Sequence, residues 1–215
     1  MASLNTKISG GVAVAGLIGA LTAGMGIYVA ASLGDGLQGS LQSAQVLRHH
    51  SHADMMRHAL RADVVSAMQS TTIGIGFSSK AIAADFAAHT AAIVADIAKA
   101  RELAADPATI EALESVAKPL VAYKDAALAI LKETDASTYG AQEMFPDFKK
   151  QYDALEVAMD EATSRIEAAA SVEAEAASAG GSVAKLLMGG LLLAGLLISA
   201  AIVVVARRQV VRPLL

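Results

Sequence analysis

The stretch FKKQYDALEVAMDEATSRIEAA, residues Phe148–Ala169, decides the fold of this chain of 215 residues. Its apolar residues alternate at intervals of four and three, and they are Phe148, Tyr152, Leu155, Met159, Ala162, Ile166 and Ala169. This spacing places all of them on one side of an α-helix, as in the seam of a coiled coil. Such a seam is buried against other helices, so the stretch predicts one member of a helical bundle.

Helical periodicity also occurs in three segments before this stretch. They cover residues 37–69, 79–104 and 108–133. The spacing predicts that Pro119 kinks or splits the third helix, that residues 135–147 form a loop, and that the fourth helix starts near Pro146. Four amphipathic helices with short connections predict an all-α fold, an antiparallel up-down four-helix bundle.

Two apolar runs flank this predicted bundle, and neither contains a charged residue: Ile8–Gly34 and Leu186–Ala206. Each exceeds the roughly 20 residues that a helix needs to cross a bilayer. The first run is also a candidate signal peptide, but it is about twice as long as the usual apolar core of one. Small residues at Gly16, Ala20 and Gly24 have the four-residue spacing of helix-packing faces in membranes, which favours a retained helix.

The charges give the orientation of the two predicted membrane helices. All 21 acidic residues lie between Asp35 and Glu175, together with 12 of the 17 basic residues. The remaining basic residues flank the apolar runs, at Lys7, Lys185, Arg207, Arg208 and Arg212. Basic flanks mark the cytoplasmic side of a membrane helix, so both termini are predicted inside and the domain of net charge −9 outside.

This pattern divides the chain into five parts. They are a cytoplasmic N-terminus at 1–7, a membrane helix at 8–34, an outer domain at 35–182, a second membrane helix at 183–206 and a cytoplasmic end at 207–215. The chain has no cysteine, and the Gly-x-Gly at 74–76 lacks the phosphate-loop spacing and is expected in a turn. No catalytic set can be assembled, and the negative outer domain makes nucleic-acid binding unexpected, so we expect neither an enzyme nor a nucleic-acid partner.

Four segments of the outer domain resemble the four-helix-bundle sensory domain of bacterial methyl-accepting chemotaxis proteins. They are ADMMRHALRADVVSAM (53–68), DFAAHTAAI (85–93), DPATIEALESVAKPLVAY (106–123) and YDALEVAMDEATSRI (152–166). The sequence departs from that family at Arg57-His58, where its signature often reads His-Asp. The end of the chain, RRQVVRPL (207–214), resembles the start of a HAMP linker, which follows the second membrane helix in these receptors.

The resemblance implies the sensor module of a chemoreceptor in the bacterial inner membrane, with its sensory domain periplasmic or extracellular. Its expected partners are a small-molecule ligand or a ligand-loaded binding protein, a second copy in a homodimer, and a cytoplasmic chemotaxis kinase and adaptor reached through a region beyond residue 215. Two alternatives remain open. One is the sensor of a histidine kinase or diguanylate cyclase, and the other is a membrane-tethered metal-binding or ligand-binding protein without signalling.

The candidate ligand-binding residues are Arg57 and Arg61, which lie four positions apart and so share one helix face. Two guanidinium groups together are suited to clamp a carboxylate or phosphate. In the family that the chain resembles, arginines of the first helix near the dimer interface often hold small anions, which implies the same role here. The alternative is that both arginines form ion pairs with acids of a neighbouring helix, such as Asp153 or Glu156.

The segment HHSHADMMRH (49–58) contains four histidines. His49 and His52 can share a face, as can Asp54 and His58, and such pairs are able to bind transition metals. Four ligands on one helix cannot converge, so a solvated face with an Asp54–His58 pair is the stronger interpretation, and no metal or cofactor is assigned. A role in pH sensing is the further alternative. His89 falls on the core stripe of the second predicted helix and is expected to be an interior, hydrogen-bonded histidine.

Overall fold

The computed structural model describes residues 4–73 and 79–206. These residues form five α-helices: α1 (Leu4–Ile73), α2 (Ser79–Leu103), α3 (Pro107–Ser115), α4 (Ala117–Ala136) and α5 (Thr138–Ala206). No strand occurs among them, which confirms the predicted all-α fold class. Residues 1–3, most of the predicted turn at 74–80 and the predicted HAMP start at 207–215 lie outside the described part of the chain.

The chain divides into two compact units. Gly39–Val172 form one, which we call the core unit, and Met1–Gln38 with Glu173–Leu215 form the other, which we call the apolar unit. The helices α1 and α5 each contribute residues to both units.

The core unit is organised around the seam that the sequence predicts on α5. Six of the seven seam residues are buried, and they are Phe148, Tyr152, Leu155, Met159, Ala162 and Ile166. They join one apolar cluster with residues of every other helix, such as Leu60 of α1, Ile93 of α2, Leu113 of α3 and Ile130 of α4. Burial of these apolar side chains is the main favourable contribution to the folding free energy of this unit.

The contacts between helices follow a regular order along α1. As the residue number in α1 rises, its partners in α2 fall: the Gln42 amide donates to the Leu103 carbonyl at 2.7 Å, and Asp63 contacts His89 at 2.7 Å. The same holds for α5, where His50 contacts Met159 and His58 contacts Tyr152.

The third predicted helix is divided into α3 and α4 by a turn at Val116. The α3 helix begins as the sequence indicates, because the Asp106 carboxylate accepts a hydrogen bond from the Thr109 backbone N–H at 2.8 Å and Pro107 follows the cap. Pro119 is the third residue of α4, where a backbone N–H has no partner within a helix and its absence costs little. The predicted effect of Pro119 is thus confirmed as a split rather than a kink.

The predicted loop at 135–147 and the predicted start of the fourth helix near Pro146 are both wrong. The α5 helix begins at Thr138, and Ser137 alone separates it from α4. Ser137 has an extended backbone, and its hydroxyl accepts a hydrogen bond from the Gly140 backbone N–H at 3.1 Å, so it caps α5. Pro146 lies inside α5, where the helix forgoes one backbone hydrogen bond and continues.

The apolar unit exposes most of its large hydrophobic side chains. On α1 they include Leu17, Leu21, Ile27 and Tyr28, and on α5 they include Leu186, Leu192, Leu193, Leu196 and Leu197. The two helices approach closely at Gly36, where an added Cβ would lie 3.2 Å from the Ala177 Cβ. At Gly16 and Gly24 an added Cβ would have no described atom within 4 Å.

Two helices of the described part are long and apolar enough to cross a membrane by length and composition, and they are found at Lys80–Leu103 and Tyr139–Ala201. The second includes most of the predicted membrane helix at 183–206. The first was not predicted as a span, and it buries Phe86, Ile93 and Ala100 in the core, as an apolar helix of a soluble domain does. Several side chains of 8–34 lie outside the described set, so the span at 8–34 stays a prediction.

Candidate functional site

A surface groove of about 440 Å³ lies between α1 and α5 in the core unit. We call it the α1–α5 groove, and it is lined by His58, Arg61, Phe145, Phe148, Lys149, Tyr152, Asp153 and Glu156. The seam of α5 supplies its aromatic residues, and the polar residues that flank the seam supply its charges. One of the two arginines predicted as ligand-binding residues therefore lines a groove, and the other lies next to it.

Tyr152 brings the two arginines together. The Cζ atom of Arg57 lies 4.6 Å from the centre of the Tyr152 ring, and that of Arg61 lies 4.9 Å from it. A guanidinium at this distance is attracted to the negative face of an aromatic ring. The Tyr152 hydroxyl is also hydrogen-bonded to Nδ1 of His58 at 3.0 Å. This ring therefore contacts all three cationic or titratable groups that α1 presents at the groove.

Arg57 is almost fully buried, with 3% of its surface exposed. Its Nε donates to Oδ1 of Asp54 at 2.9 Å, and its Nη2 lies 2.9 Å from the same oxygen. Its Nη1 is buried without a hydrogen-bond partner, and the nearest carboxylate oxygen on α5, Oε1 of Glu156, is 3.7 Å away. A buried guanidinium with an unused donor is unusual, because removing a charged group from water is costly unless every donor is satisfied.

Arg61 differs from Arg57 in exposure and in pairing. Its side chain is exposed, and among the described residues it has no hydrogen bond and no ion pair; its contact is with the Tyr152 ring. Of the acids predicted as structural partners, Glu156 forms an ion pair with Arg57 at 3.7 Å, which confirms that alternative for Arg57, and Asp153 pairs with Lys149 at 2.5 Å. The Arg61 guanidinium is thus available to an anion that enters the groove.

An aromatic cluster supports this arrangement from the core. The Tyr123 ring of α4 is stacked on Phe148, with ring centres 5.3 Å apart, and meets Tyr152 edge-on at 5.8 Å. Its hydroxyl donates to the Arg57 carbonyl at 3.3 Å. Burial raises the pKa of Tyr123, so its hydroxyl stays a neutral donor. The cluster contacts Arg57 at two places: the Tyr123 hydroxyl binds its backbone carbonyl, and the Tyr152 ring packs against its guanidinium.

Sequence reasoning assigned Phe148 and Tyr152 to the core alone and missed their second role at the groove. A signal was present in the aromatic residues. The chain has four tyrosines and four phenylalanines, and three of these eight fall at 145, 148 and 152, on one face of one helix. In a chain with so few aromatic residues, three of them on one helix face indicate a candidate binding surface and not only core packing.

The histidines at 49–58 divide among several partners instead of converging. Nδ1 of His49 lies 2.7 Å from Oδ1 of Asp96 on α2, and Nδ1 of His52 contacts Oδ2 of the same carboxylate. His50 is buried against α5, while His58 lies at the groove, 3.7 Å from Asp54. In the described part of the chain, no three or more His, Cys, Asp or Glu side chains have an arrangement that could hold a metal ion.

Two carboxylates on the α1–α2 side have shifted pKa values. Burial would raise the pKa of Asp96, but the hydrogen bonds from His49 and His52 outweigh it, so the pKa is lowered. For Asp63, burial dominates over the hydrogen bond with His89, and the pKa is raised. The 2.7 Å contact between His89 and Asp63 confirms the hydrogen bond predicted for His89, although its side chain is half-buried and not interior.

No family model, curated protein or solved structure matches this chain. The functional interpretation rests on the sequence pattern and on the groove.

Proposed function

We propose that the chain is the sensory and membrane part of a bacterial chemoreceptor of the methyl-accepting type. In this proposal the core unit is an antiparallel four-helix bundle outside the inner membrane, and residues 8–34 and 183–206 cross it. The observation that carries the proposal is the composition of the groove: all its lining residues come from α1 and α5. These are also the two helices that contain the long uncharged segments.

The ligand class that suits the groove is a small carboxylate with an apolar body. Residues 35–175 have a net charge of −9, which repels anions in general, so an anionic ligand needs a local cluster of positive charge. Arg61 offers a guanidinium that has no hydrogen bond or ion pair among the described residues, and the buried Arg57, which lies next to the groove, adds positive charge behind it. The partly exposed ring of Phe145 offers an apolar surface in the groove, and the buried Phe148 lies behind it.

Binding in such a groove would favour one arrangement of α1 against α5 over another. A ligand shifts a conformational equilibrium only by its difference in affinity for the two states. A ligand that contacts Arg61 on α1 and the aromatic side chains of α5 would provide that difference. A small displacement of α5 would then reach the HAMP linker that 207–215 resemble, and beyond it a cytoplasmic kinase and adaptor. The Gly16, Ala20 and Gly24 face of α1 is the proposed contact with the second copy of a homodimer.

The ligand proposal is tested by calorimetric titration of the full chain in lipid nanodiscs, with benzoate and succinate as probes. We expect at least one probe to bind, and Arg61→Gln to weaken it about tenfold to a hundredfold, because a charge-assisted hydrogen bond contributes roughly 1.5–3 kcal/mol. The matched control is Arg48→Gln, an equal change of charge at an exposed position of the same helix, which should bind as wild type does. Thermal melts should coincide for all three proteins.

Two results would contradict this proposal. Equal affinity in wild type and Arg61→Gln would remove Arg61 from the site. Failure of both probes to bind wild type would favour recognition through a ligand-loaded binding protein. The output is tested separately, by reading the gene beyond the codon for Leu215: a chemotaxis signalling domain supports the receptor, while a kinase domain, a cyclase domain or an immediate stop codon contradicts it.

A further inference from the structure

We propose that the core unit has a second input, the proton, received by three histidines of α1. His49, His50 and His52 form a switch that weakens the contact of α1 with α5 and strengthens its contact with α2 when the medium becomes acidic. This inference is independent of the groove and of any carboxylate ligand.

The α5 side of the switch is His50, of which 1% is exposed. Its Nε2 lies 3.1 Å from the Met159 carbonyl oxygen and 2.9 Å from the Thr163 hydroxyl, which itself donates to that carbonyl at 3.0 Å. A carbonyl only accepts, so Nε2 carries the hydrogen and Nδ1 is the bare nitrogen. Nδ1 is buried and has no hydrogen-bond partner in the described part of the chain. Protonation would therefore place a charge and an unsatisfied N–H in the core.

The charges around His50 do not reverse this conclusion. Burial lowers the pKa of His50, although the Met159 carbonyl and the carboxylates of Asp54 on α1 and Asp160 on α5 act in the opposite direction. With the folded pKa below the ordinary value of 6.5, the unfolded chain takes up the proton first as the pH falls. The contribution of His50 to stability is thus complete above pH 6.5 and is lost as the pH drops toward the folded pKa.

The α2 side of the switch responds with the opposite sign. The Asp96 carboxylate receives His49 on one oxygen and His52 on the other. Protonation of either ring turns a hydrogen bond of a neutral imidazole into a charge-assisted one, which is stronger. The hydrogen bonds from the two histidines lower the pKa of Asp96 against the effect of burial, so this carboxylate keeps its charge to a lower pH than an ordinary aspartate does. Protonation of His49 or His52 therefore strengthens this contact with α2, whereas protonation of His50 weakens the contact with α5.

The opposite signs make the device a switch rather than a simple loss of stability. The three histidines lie within four residues of one helix, so the same segment of α1 gains affinity for α2 while it loses affinity for α5. Two opposed changes in adjacent side chains bias the segment between two sets of contacts, which is what a two-state element requires.

The test measures distances between helices at pH 8 and pH 5 in the full chain, in nanodiscs with a chelator present throughout. The chain has no cysteine, so spin labels can be placed at Met55→Cys with Val94→Cys on α2, or at Met55→Cys with Val157→Cys on α5. All three positions are more than half exposed. Dilution with unlabelled chain restricts the signal to distances within one copy. On acidification we expect the α1–α5 distribution to lengthen or broaden and the α1–α2 distribution to narrow.

Two variants separate the halves of the switch. His50→Gln retains a donor for the Met159 carbonyl but does not titrate, so it should lose the α1–α5 response and keep the α1–α2 response. Asp96→Asn removes the charge that His49 and His52 contact, so it should lose the α1–α2 response and keep the α1–α5 response. The matched control for Asp96→Asn is Glu102→Gln, which removes an exposed carboxylate of α2 that pairs with Lys99 of the same helix, and it should retain both responses. Identical distributions at the two pH values in wild type, or responses that persist when both variants are combined, would overturn the proposal.

Discussion

Leucine side chains differ in exposure between the core unit and the apolar unit. Leu60 of α1 and Leu155 of α5 are at most 1% exposed in the core unit, whereas Leu21 and Leu196 of the same helices are 64% and 68% exposed in the apolar unit. In the core unit the other helices provide apolar surroundings for these side chains. In the apolar unit the chain itself does not, and the proposed membrane would do so. Helical continuity along α1 and α5 is therefore compatible with two different surroundings.

The largest effect that tests this comparison is the loss of a core leucine. Leu155→Ala should lower the free energy of unfolding by about 2–5 kcal/mol, because it removes buried apolar surface and leaves a cavity. The matched change in the apolar unit, Leu192→Ala at a position 64% exposed, should cost far less. Urea titration of the full chain in detergent, followed by circular dichroism, measures both. Equal losses would mean that the two units do not differ in the way described.

A smaller effect is expected from a charge in the apolar unit. Leu196→Asp lies near the middle of 183–206 and should disfavour membrane insertion by about 3 kcal/mol. Its control, Val157→Asp, places the same charge at a position 69% exposed in the core unit, and should leave membrane association unchanged. Carbonate extraction of membranes from expressing cells reports both. If Val157→Asp were released from membranes as readily as Leu196→Asp, the assignment of the two surroundings would be contradicted.

The smallest expected effect concerns a helix end inside the core unit. It measures how much of the stability of that unit comes from helix capping and not from burial. Asp106→Ala removes the cap of α3 and should cost about 1 kcal/mol. Glu111→Ala, an exposed change of the same charge in the same helix, should cost less. Thermal melts of the two variants give the difference, and a cap variant as stable as Glu111→Ala would mean that Thr109 is satisfied in another way.

Much of the fold could be predicted from the sequence, because periodicity records which side of a helix is buried. The seam of α5 and the division of the third helix near Pro119 follow from spacing and from proline chemistry. The start of α5 does not. Pro146 is a good helix start by local rules, but Ser137 caps an earlier turn, and packing of the aromatic residues beyond it holds the helix through the proline.

The candidate site could be predicted only in part. Spacing placed Arg57 and Arg61 on one face, but it could not show that one is buried and the other exposed, because that depends on how helices distant in sequence pack around α1. The same limit applies to His50: its neighbours at 49 and 52 face α2, and the position of α5 decides that His50 is buried. Contacts between helices that are distant in sequence leave no periodic signal.

The groove between α1 and α5 has a consequence for how this protein can diverge. Its Lys149 and Asp153 side chains are exposed and pair with each other, and they contribute nothing to the apolar cluster beneath them. Substitutions at these two positions would alter the charge and shape of the groove without opening the core. If the groove binds the proposed ligand, its specificity and the fold can change at separate positions on adjacent faces of one helix, at little cost in stability.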